Sequence, residues 1–350
     1  SLIMEKARRD IRALSLDELR HFFTSHSAPA FKGDQVYEWL WRKGAHNFLG
    51  MTNLSKSHRS LLEEYFVIHH IAVDQLQRSD DGTIKNAIRL HDGYLVESVL
   101  IPTDTRSTAC VSSQVGCSLD CHFCATAKLK RMRNLNPDEI YDQVVEIDKQ
   151  SQLYYNRPLT NIVFMGMGEP LMNYKNTLAA IDKITSPDGL GMSPKRITVS
   201  TSGITKIIRE ISEQNPKFKL AVSLHSAIEE TRNRLMPFTK SFPLDQLLEA
   251  LKYWYDKTKS KITFEVVVWK GINDKQADID ALVFYCKQVP SKVNLIEYNA
   301  IGDDQFVQAT PMAISAYTTA LKDNRISVTV RRSRGKDIDA ACGQLANKNH

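Results

Sequence analysis

The stretch QVGCSLDCHFCATAK, residues 114–128, places three cysteines close together, at positions 117, 121 and 124, with no fourth beside them. Clustered thiolates in a chain with few cysteines are more typical of zinc or iron-sulfur ligands than of disulfides. Structural zinc needs a closed set of four ligands. A 4Fe-4S cluster held by three cysteines instead keeps one iron open for another ligand. The spacing therefore favours an iron-sulfur cluster over zinc, with Cys117, Cys121 and Cys124 as its ligands.

From Cys110 onward, short β-branched runs alternate with runs of helical period. In the clearest helical run, Asn136 and Pro137 suit the first turn, and Ile140, Val144 and Ile147 form an apolar stripe. Such alternation predicts an α/β fold, a partial (βα)6 barrel of the TIM type. A seventh β-like run, ISVTVRR, follows the last helix. The six strand-like runs are ACVSSQ, NIVFMG, RITVST, LAVSLH, ITFEVVVW and KVNLIEYN.

The spacing of apolar residues changes along the chain and divides it into three parts. Residues 1–75 predict a small N-terminal helical accessory domain, in which Ser15 and Glu18 have the spacing of a capping box. Residues 76–107 predict a β-hairpin connector that turns at Asp92 and Gly93. Residues 108–350 predict the barrel domain and a C-terminal tail.

Composition limits the setting of the protein. The 350 residues are 42% hydrophobic and 25% charged, and no apolar run reaches the ~20 residues of a membrane helix, so we expect a soluble chain. Six unevenly spaced cysteines predict a reducing cytoplasm rather than a disulfide framework. The net charge of +6 is concentrated in KLKRMR (128–133) and RRSRGK (331–336), which indicates either a polyanionic partner or a solvated charged face.

The cysteine spacing, C-x3-C-x2-C with Phe123 before the last cysteine, resembles the motif of the radical S-adenosylmethionine (SAM) superfamily. The resemblance implies a 4Fe-4S cluster whose open iron binds the amino and carboxylate groups of SAM. It also implies a reductive cleavage of SAM that yields a deoxyadenosyl radical.

Seven segments, in this order, resemble the RlmN/Cfr family of RNA adenine methyltransferases over nearly the whole chain. The resemblance favours the RlmN branch and implies methylation of adenine carbon 2 in 23S rRNA, at the peptidyl-transferase centre, and in tRNA, at the adenosine 3′ of the anticodon. It also implies two SAM per turnover, an electron donor such as flavodoxin and an RNA-binding accessory domain. The segments are CVSSQVGCSLDCHFC, FMGMGEPLMN, RITVSTSGI, LAVSLHSA, NRLMP, VNLIEYN and DIDAACGQL.

Two alternatives stay open on the sequence alone. A Cfr-like enzyme would methylate carbon 8 of adenine in rRNA. A non-catalytic RNA-binding protein would carry zinc on the same cysteines, although it would leave the strand-end segments without a role.

The same resemblance assigns individual residues. Cys342 would accept a methyl group from one SAM, Cys110 would release the product by forming a disulfide with Cys342, and Glu97 would act as the proton acceptor. Cys286 matches no motif and indicates helix core. The residues implied for SAM lie where strands of a barrel would end on one mouth, and they are Gly168, Glu169, Ser200, Ser223, Leu224, His225 and Asn299.

Overall fold

A small helical unit comes first in the computed structural model, which describes residues 7–302 and 305–347. The predicted capping box is present: the Ser15 hydroxyl accepts from the Glu18 N–H and the Glu18 carboxylate accepts from the Ser15 N–H, each at 3.1 Å. Two short strands pair in parallel and close the unit. Its elements are β1 (Arg9–Asp10), α1 (Leu16–Ser25), α2 (Phe31–Trp41), α3 (Lys56–Tyr65) and β2 (Phe66–Val67).

Three antiparallel strands follow, β3 (Ala72–Arg78), β4 (Ile84–Arg89) and β5 (Leu95–Pro102). The hairpin turns where predicted, with Gly93 at a φ of +89°. The last strand of the hairpin, β5, also pairs with β6 (Ser107–Cys110), the first barrel strand. The short link between β5 and β6 forces these two strands to be neighbours, so the three strands extend the barrel sheet.

In the described residues, these three strands and the barrel strands form one sheet of ten strands. Seven of the ten are parallel and form its barrel part. All six predicted strand runs are present, and the seventh pairs in parallel at the edge. The sheet stays open, as a partial barrel requires. After β6 the elements are β7 (Gln114–Val115), β8 (Arg133–Asn134), α4 (Pro137–Tyr155), β9 (Asn161–Phe164), α5 (Tyr174–Thr185), β10 (Ile197–Thr201), α6 (Thr205–Ser212), β11 (Lys219–Ser223), α7 (Glu229–Leu235), α8 (Leu244–Thr258), β12 (Ile262–Val267), α9 (Gln276–Cys286), β13 (Ser291–Ile296), α10 (Pro311–Asp323) and β14 (Ser327–Arg331).

The core lies between the sheet and the helices outside it. Ile140, Val144 and Ile147 of α4 are fully buried, so the predicted stripe does face the sheet. Pro137 is the first residue of α4, and the Glu139 carboxylate accepts a hydrogen bond from the Asn136 N–H at 2.8 Å. This packing leaves the carboxyl ends of the strands free to form a site. Every helix of the described ranges is too short or too polar to cross a lipid bilayer.

Candidate active site

A cavity of about 460 Å³ lies at the carboxyl ends of the parallel strands. Because these strands all end at one edge, the topology brings together residues that are far apart in sequence. Two predicted residues do not line the cavity: the Leu224 side chain is buried in the core, and Glu97 is buried on β5. The predicted residues that do line it are Cys110, Cys117, Cys121, Cys124, Gly168, Glu169, Ser200, Ser223, His225, Asn299 and Cys342.

The loop with the three clustered cysteines is closed at its base by the antiparallel pair β7 and β8. Phe123 anchors its middle, since its ring centroid lies 4.7 Å from that of His225 and 4.9 Å from that of Trp269. The His122 N–H donates to the carbonyl oxygen of Leu235 at 3.2 Å. The aromatic residue of the motif therefore attaches the loop to the barrel mouth.

The three thiols of the loop line one cavity, so they can bind a common centre. Structural zinc takes four ligands in a closed tetrahedron, and this loop supplies three thiolates. Thiolates are also the ligands of iron-sulfur clusters, and a 4Fe-4S cluster held by three of them keeps one iron open for another ligand. Burial raises the pKa of Cys117 to about 12, a thiol that a cationic centre would deprotonate.

Beside the cysteine loop, the chain approaches the cavity with backbone rather than side chains. Gly168 has a φ of +100°, and a Cβ there would lie 2.6 Å from Gln114. Next to it, the buried Glu169 carboxylate accepts from the N–H groups of Ser202 at 2.7 Å and Leu171 at 2.9 Å. Burial nevertheless raises its pKa. At Gly168, only glycine combines this positive φ with so close an approach of the backbone to Gln114.

Two polar side chains have definite hydrogen-bonding states. His225 accepts a hydrogen bond from the Val267 N–H on Nδ1 at 3.1 Å, and burial lowers its pKa to about 3, so the ring is neutral. Asn299 donates from Nδ2 to the carbonyl oxygen of Cys342 at 3.1 Å. Its Oδ1 is buried and has no partner in the described structure. That acceptor suits a cationic donor such as the amino group of SAM.

Sequence reasoning missed Glu265 of β12. Its buried carboxylate lines the cavity and accepts hydrogen bonds from the hydroxyls of Ser200 at 3.3 Å and Ser223 at 3.5 Å. Burial raises its pKa, and the positive charge of Arg331 opposes the rise. The available signal was a single carboxylate within the otherwise apolar run ITFEVVVW, because a lone charge in a buried strand needs a partner or a ligand.

Cys110 and Cys342 lie in the same cavity, and all six cysteines are free, so the implied disulfide is absent from this structure. Cys342 occupies a turn in which the Gln344 N–H donates to the Ala341 carbonyl oxygen at 3.0 Å and Gly343 has a φ of +79°. Solvent reaches this thiol through the cavity, but the surrounding protein desolvates it. Burial thus raises the pKa of both Cys110 and Cys342 to about 12.

The two basic runs are only partly available to a polyanion. Arg133 forms ion pairs with Asp92 and Glu139, both at 2.7 Å. Lys336 pairs with Glu297. Four arginines nevertheless line the cavity and place positive charge at its rim, namely Arg106, Arg331, Arg332 and Arg334.

Comparison with known proteins agrees with this geometry. Residues 111–283 match the radical SAM superfamily, and residues 10–68 match the N-terminal domain of ribosomal RNA large subunit methyltransferases. A radical SAM methyltransferase from Sphaerobacter thermophilus has a similar structure, with a TM-score of 0.89 and 35% identity over 96% of this chain and 99% of that one. The family model and this structural neighbour together place the chain in the class of radical SAM methyltransferases.

Curated relatives narrow the class. The chain is 70% identical to a probable dual-specificity RNA methyltransferase RlmN of Flavobacterium psychrophilum, over 99% of each chain. It is 41% identical to the dual-specificity RNA methyltransferase RlmN of Geotalea uraniireducens, over 99% of this chain and 98% of the relative. The chain belongs to the RlmN family of radical SAM RNA methyltransferases.

Proposed function

We propose that this enzyme methylates carbon 2 of an adenosine in 23S rRNA, at the peptidyl-transferase centre, and in tRNA, at the adenosine 3′ of the anticodon. It would use a 4Fe-4S cluster on Cys117, Cys121 and Cys124 and two SAM per turnover. The relatives named dual-specificity RNA methyltransferases support a substrate in RNA. We expect the enzyme to work in the cytoplasm, where RNA is present and thiols stay reduced.

The observation that carries the proposal is the position of two unpaired thiols in one cavity with the three-cysteine loop. Carbon 2 of adenine is electron-poor and does not attack a methyl donor, so the methyl group needs an intermediate carrier and a radical route. When bound, cluster and SAM supply a methyl group and a hydrogen-abstracting radical. In this proposal Cys342 would carry the methyl group, with its thiolate as the nucleophile, and Cys110 would release the RNA by forming a disulfide with Cys342.

SAM would be held by the residues predicted for it. Gly168 would leave the ligand a place without a side chain, the Glu169 carboxylate and Asn299 Oδ1 would accept hydrogen bonds from its amino group, and neutral His225 would donate from Nε2. Ser200 and Ser223 line the same wall, while Leu224 lies behind it as core. Three of the rim arginines, Arg106, Arg331 and Arg332, would bind phosphates around an adenosine that has left its stack, while Arg334 is paired with Asp81. A small electron carrier such as flavodoxin would reduce the cluster.

Nucleoside mass spectrometry tests the proposal. The anaerobically reconstituted protein is incubated with unmodified 23S rRNA or tRNA, SAM and a reductant, beside Cys342→Ala, Cys110→Ala and the control Cys286→Ala, whose thiol is buried in α9. We expect 2-methyladenosine from the wild type and from Cys286→Ala, and none from Cys342→Ala. Cys110→Ala should instead accumulate a covalent protein–RNA adduct.

Other results would overturn the proposal in distinct ways. An 8-methyl product would establish the Cfr-like chemistry. Bound zinc in place of iron, together with RNA binding and no consumption of SAM, would establish the non-catalytic protein. Product formation by Cys342→Ala would exclude this cysteine as the methyl carrier.

A further inference from the structure

We propose that the strands β3–β5 position Cys342 by clamping the C-terminal segment on both sides of it, and that Glu97 is a positioning residue in this clamp. The inference rests on the proposed function only in taking Cys342 as the reacting thiol. It assigns the three-stranded extension of the sheet a role that neither the family motifs nor the cavity lining indicates.

The clamp after Cys342 is formed by Glu97. One oxygen of its carboxylate, Oε1, accepts from the N–H groups of Ala346 at 2.9 Å and Asn347 at 2.8 Å. The Asn347 side chain donates from Nδ2 to the carbonyl oxygen of Leu95, also on β5, at 3.1 Å. Hydrogen bonds to an ionised acceptor are stronger than those between neutral groups. The end of the described chain is therefore held to β5.

The second oxygen of Glu97 binds Lys85 of β4, with 3.3 Å between Nζ and Oε2. Both side chains are almost fully buried, at 2% and 0% exposure. Removing one member of a buried ion pair is costly because the other charge remains without compensation. The pair keeps a carboxylate inside the protein, where its other oxygen can bind the tail. Since Glu97 does not line the cavity, its carboxylate faces the tail rather than the substrate site.

The clamp before Cys342 is formed by the turn between β3 and β4. The Asp81 carboxylate accepts from the Gly335 N–H at 2.8 Å, and Arg334 donates to the carbonyl oxygen of Asp81 at 2.9 Å. Asp337 accepts from the Ser79 hydroxyl. Burial opposes ionisation of Asp81, but hydrogen bonds from the Gly335 and Thr83 N–H groups lower its pKa to about 2. This clamp is thus charged at neutral pH.

Between the two clamps, the segment contacts the cysteine loop and the cavity wall. Its Gly343 carbonyl oxygen accepts from the Ala125 N–H at 2.8 Å, and that of Leu345 from the Thr126 hydroxyl at 2.6 Å. The turn at residues 341–344 then directs Cys342 into the cavity. Loosening either clamp would let the turn move away from the cysteine loop while leaving the barrel strands paired.

The experiment uses the full-length protein without cofactors and measures two properties of the tail. Hydrogen exchange reports the amides of Ala346 and Asn347, and alkylation by iodoacetamide, mapped by mass spectrometry, reports the accessibility of Cys342. We expect Glu97→Ala to increase both rates about tenfold or more, since it removes two charge-assisted hydrogen bonds. Exchange in strands β9–β13 should not change.

A second pair of variants changes the tail and leaves the sheet intact. Ala346→Pro removes one N–H donor to Glu97, and the matched Ala346→Gly keeps it. We expect Ala346→Pro to increase the alkylation rate of Cys342 severalfold over Ala346→Gly. Even if Glu97→Ala fails to fold, these two variants show whether the hydrogen bonds to Glu97 hold the tail, because Ala346 is not part of the core.

A double variant that restores the tail contacts distinguishes a positioning role of Glu97 from a role as proton acceptor. In the double variant Lys85→Met, Glu97→Gln, the amide oxygen can still accept both tail N–H groups, and no buried ammonium is left unpaired. We expect this variant to restore tail protection and to form RNA product at least about tenfold faster than Glu97→Ala. If it protects the tail but stays as inactive as Glu97→Ala, then Glu97 is the proton acceptor and the inference is wrong.

Unchanged tail exchange and alkylation in both Glu97→Ala and Ala346→Pro would also overturn the inference. The proposed function fails on a different result, the absence of methylated adenine from the wild type. Because the tail measurements need neither cluster nor RNA, the two failures are distinguishable.

Discussion

Asn299 and Cys342 are joined by a hydrogen bond from the Asn299 side-chain amide to the Cys342 carbonyl oxygen, at 3.1 Å. The bond links the end of the sixth barrel strand to the segment that carries the predicted methyl carrier. The other end of the same amide, Oδ1, is buried without a partner in the described structure, and Asn299 lines the cavity. One side chain therefore connects the predicted cofactor site with the predicted nucleophile.

Replacing Asn299 should affect both the binding of SAM and the methylation of Cys342, and two variants distinguish these effects. Asn299→Ala removes donor and acceptor, so we expect SAM affinity and the methylation of Cys342 each to fall at least about tenfold. Asn299→Asp keeps the acceptor but places an anion beside the Cys342 carbonyl, so Cys342 methylation should fall more than SAM affinity. Equilibrium dialysis with SAM and mass spectrometry of the tail peptide measure the two quantities. Equal losses in both variants would contradict the separation.

Phe123 should determine how firmly the cysteine loop is held. Phe123→Ala removes the ring contacts with His225 and Trp269, each worth about 0.5–1.5 kcal/mol beyond burial, so the loop should lose order. We expect the variant to retain less than half of the wild-type iron after anaerobic reconstitution and desalting. Phe123→Leu keeps apolar volume, so its retained iron should lie between that of the wild type and that of Phe123→Ala. Full iron retention in Phe123→Ala would show that the loop does not need this anchor.

A buried ion pair holds the accessory helices to the barrel. Arg12 donates to both oxygens of Asp142 on α4, at 2.7 and 2.8 Å, and its guanidinium lies 4.5 Å from the ring centroid of Trp41. Asp142→Ala leaves a buried cation unpaired, so we expect the free energy of unfolding to fall by about 3–5 kcal/mol. The matched control Asp74→Ala breaks the exposed pair with Arg89 and should cost at most about 1 kcal/mol. Urea unfolding followed by tryptophan fluorescence measures both, and similar losses would contradict the prediction.

Asp138 predicts a pH dependence of stability. Burial raises its pKa from 3.8 to about 7, so between these values the folded protein holds a proton that the unfolded chain has lost. The free energy of unfolding should therefore decrease as pH rises through this window, by about 1.4 kcal/mol per pH unit at most. Asp138→Asn removes this dependence and should stabilise the protein at pH 7.5 by about 1–3 kcal/mol, with little effect at pH 4. Urea unfolding at the two pH values tests the sign, and an equal effect at both would contradict it.

Local sequence patterns were sufficient for the elements and for part of the site. The β-branched runs and apolar stripes predicted the barrel strands and α4, because burial on one face imposes a period on each element. The three cysteines were recognisable since their spacing lies within one loop. Glu265 escaped notice because its significance depends on Ser200 of β10 and Ser223 of β11, which reach it from two other strands of the sheet.

The extension of the sheet shows the limit of local patterns most clearly. The turn at Asp92 and Gly93 predicted a hairpin, but not that β5 pairs with the first barrel strand. The turn also did not predict that the Asp81 carboxylate would accept a hydrogen bond from Gly335, or that the Glu97 carboxylate would accept hydrogen bonds from Ala346 and Asn347. The clustered cysteines, the strand and helix runs and the capping box are properties of short segments, which the sequence by itself determined. The convergence of strand ends on one cavity, the buried charge of Glu265 and the clamp around Cys342 were decided only by tertiary structure. These contacts join residues far apart in the chain, and they form only when the sheet has brought them together.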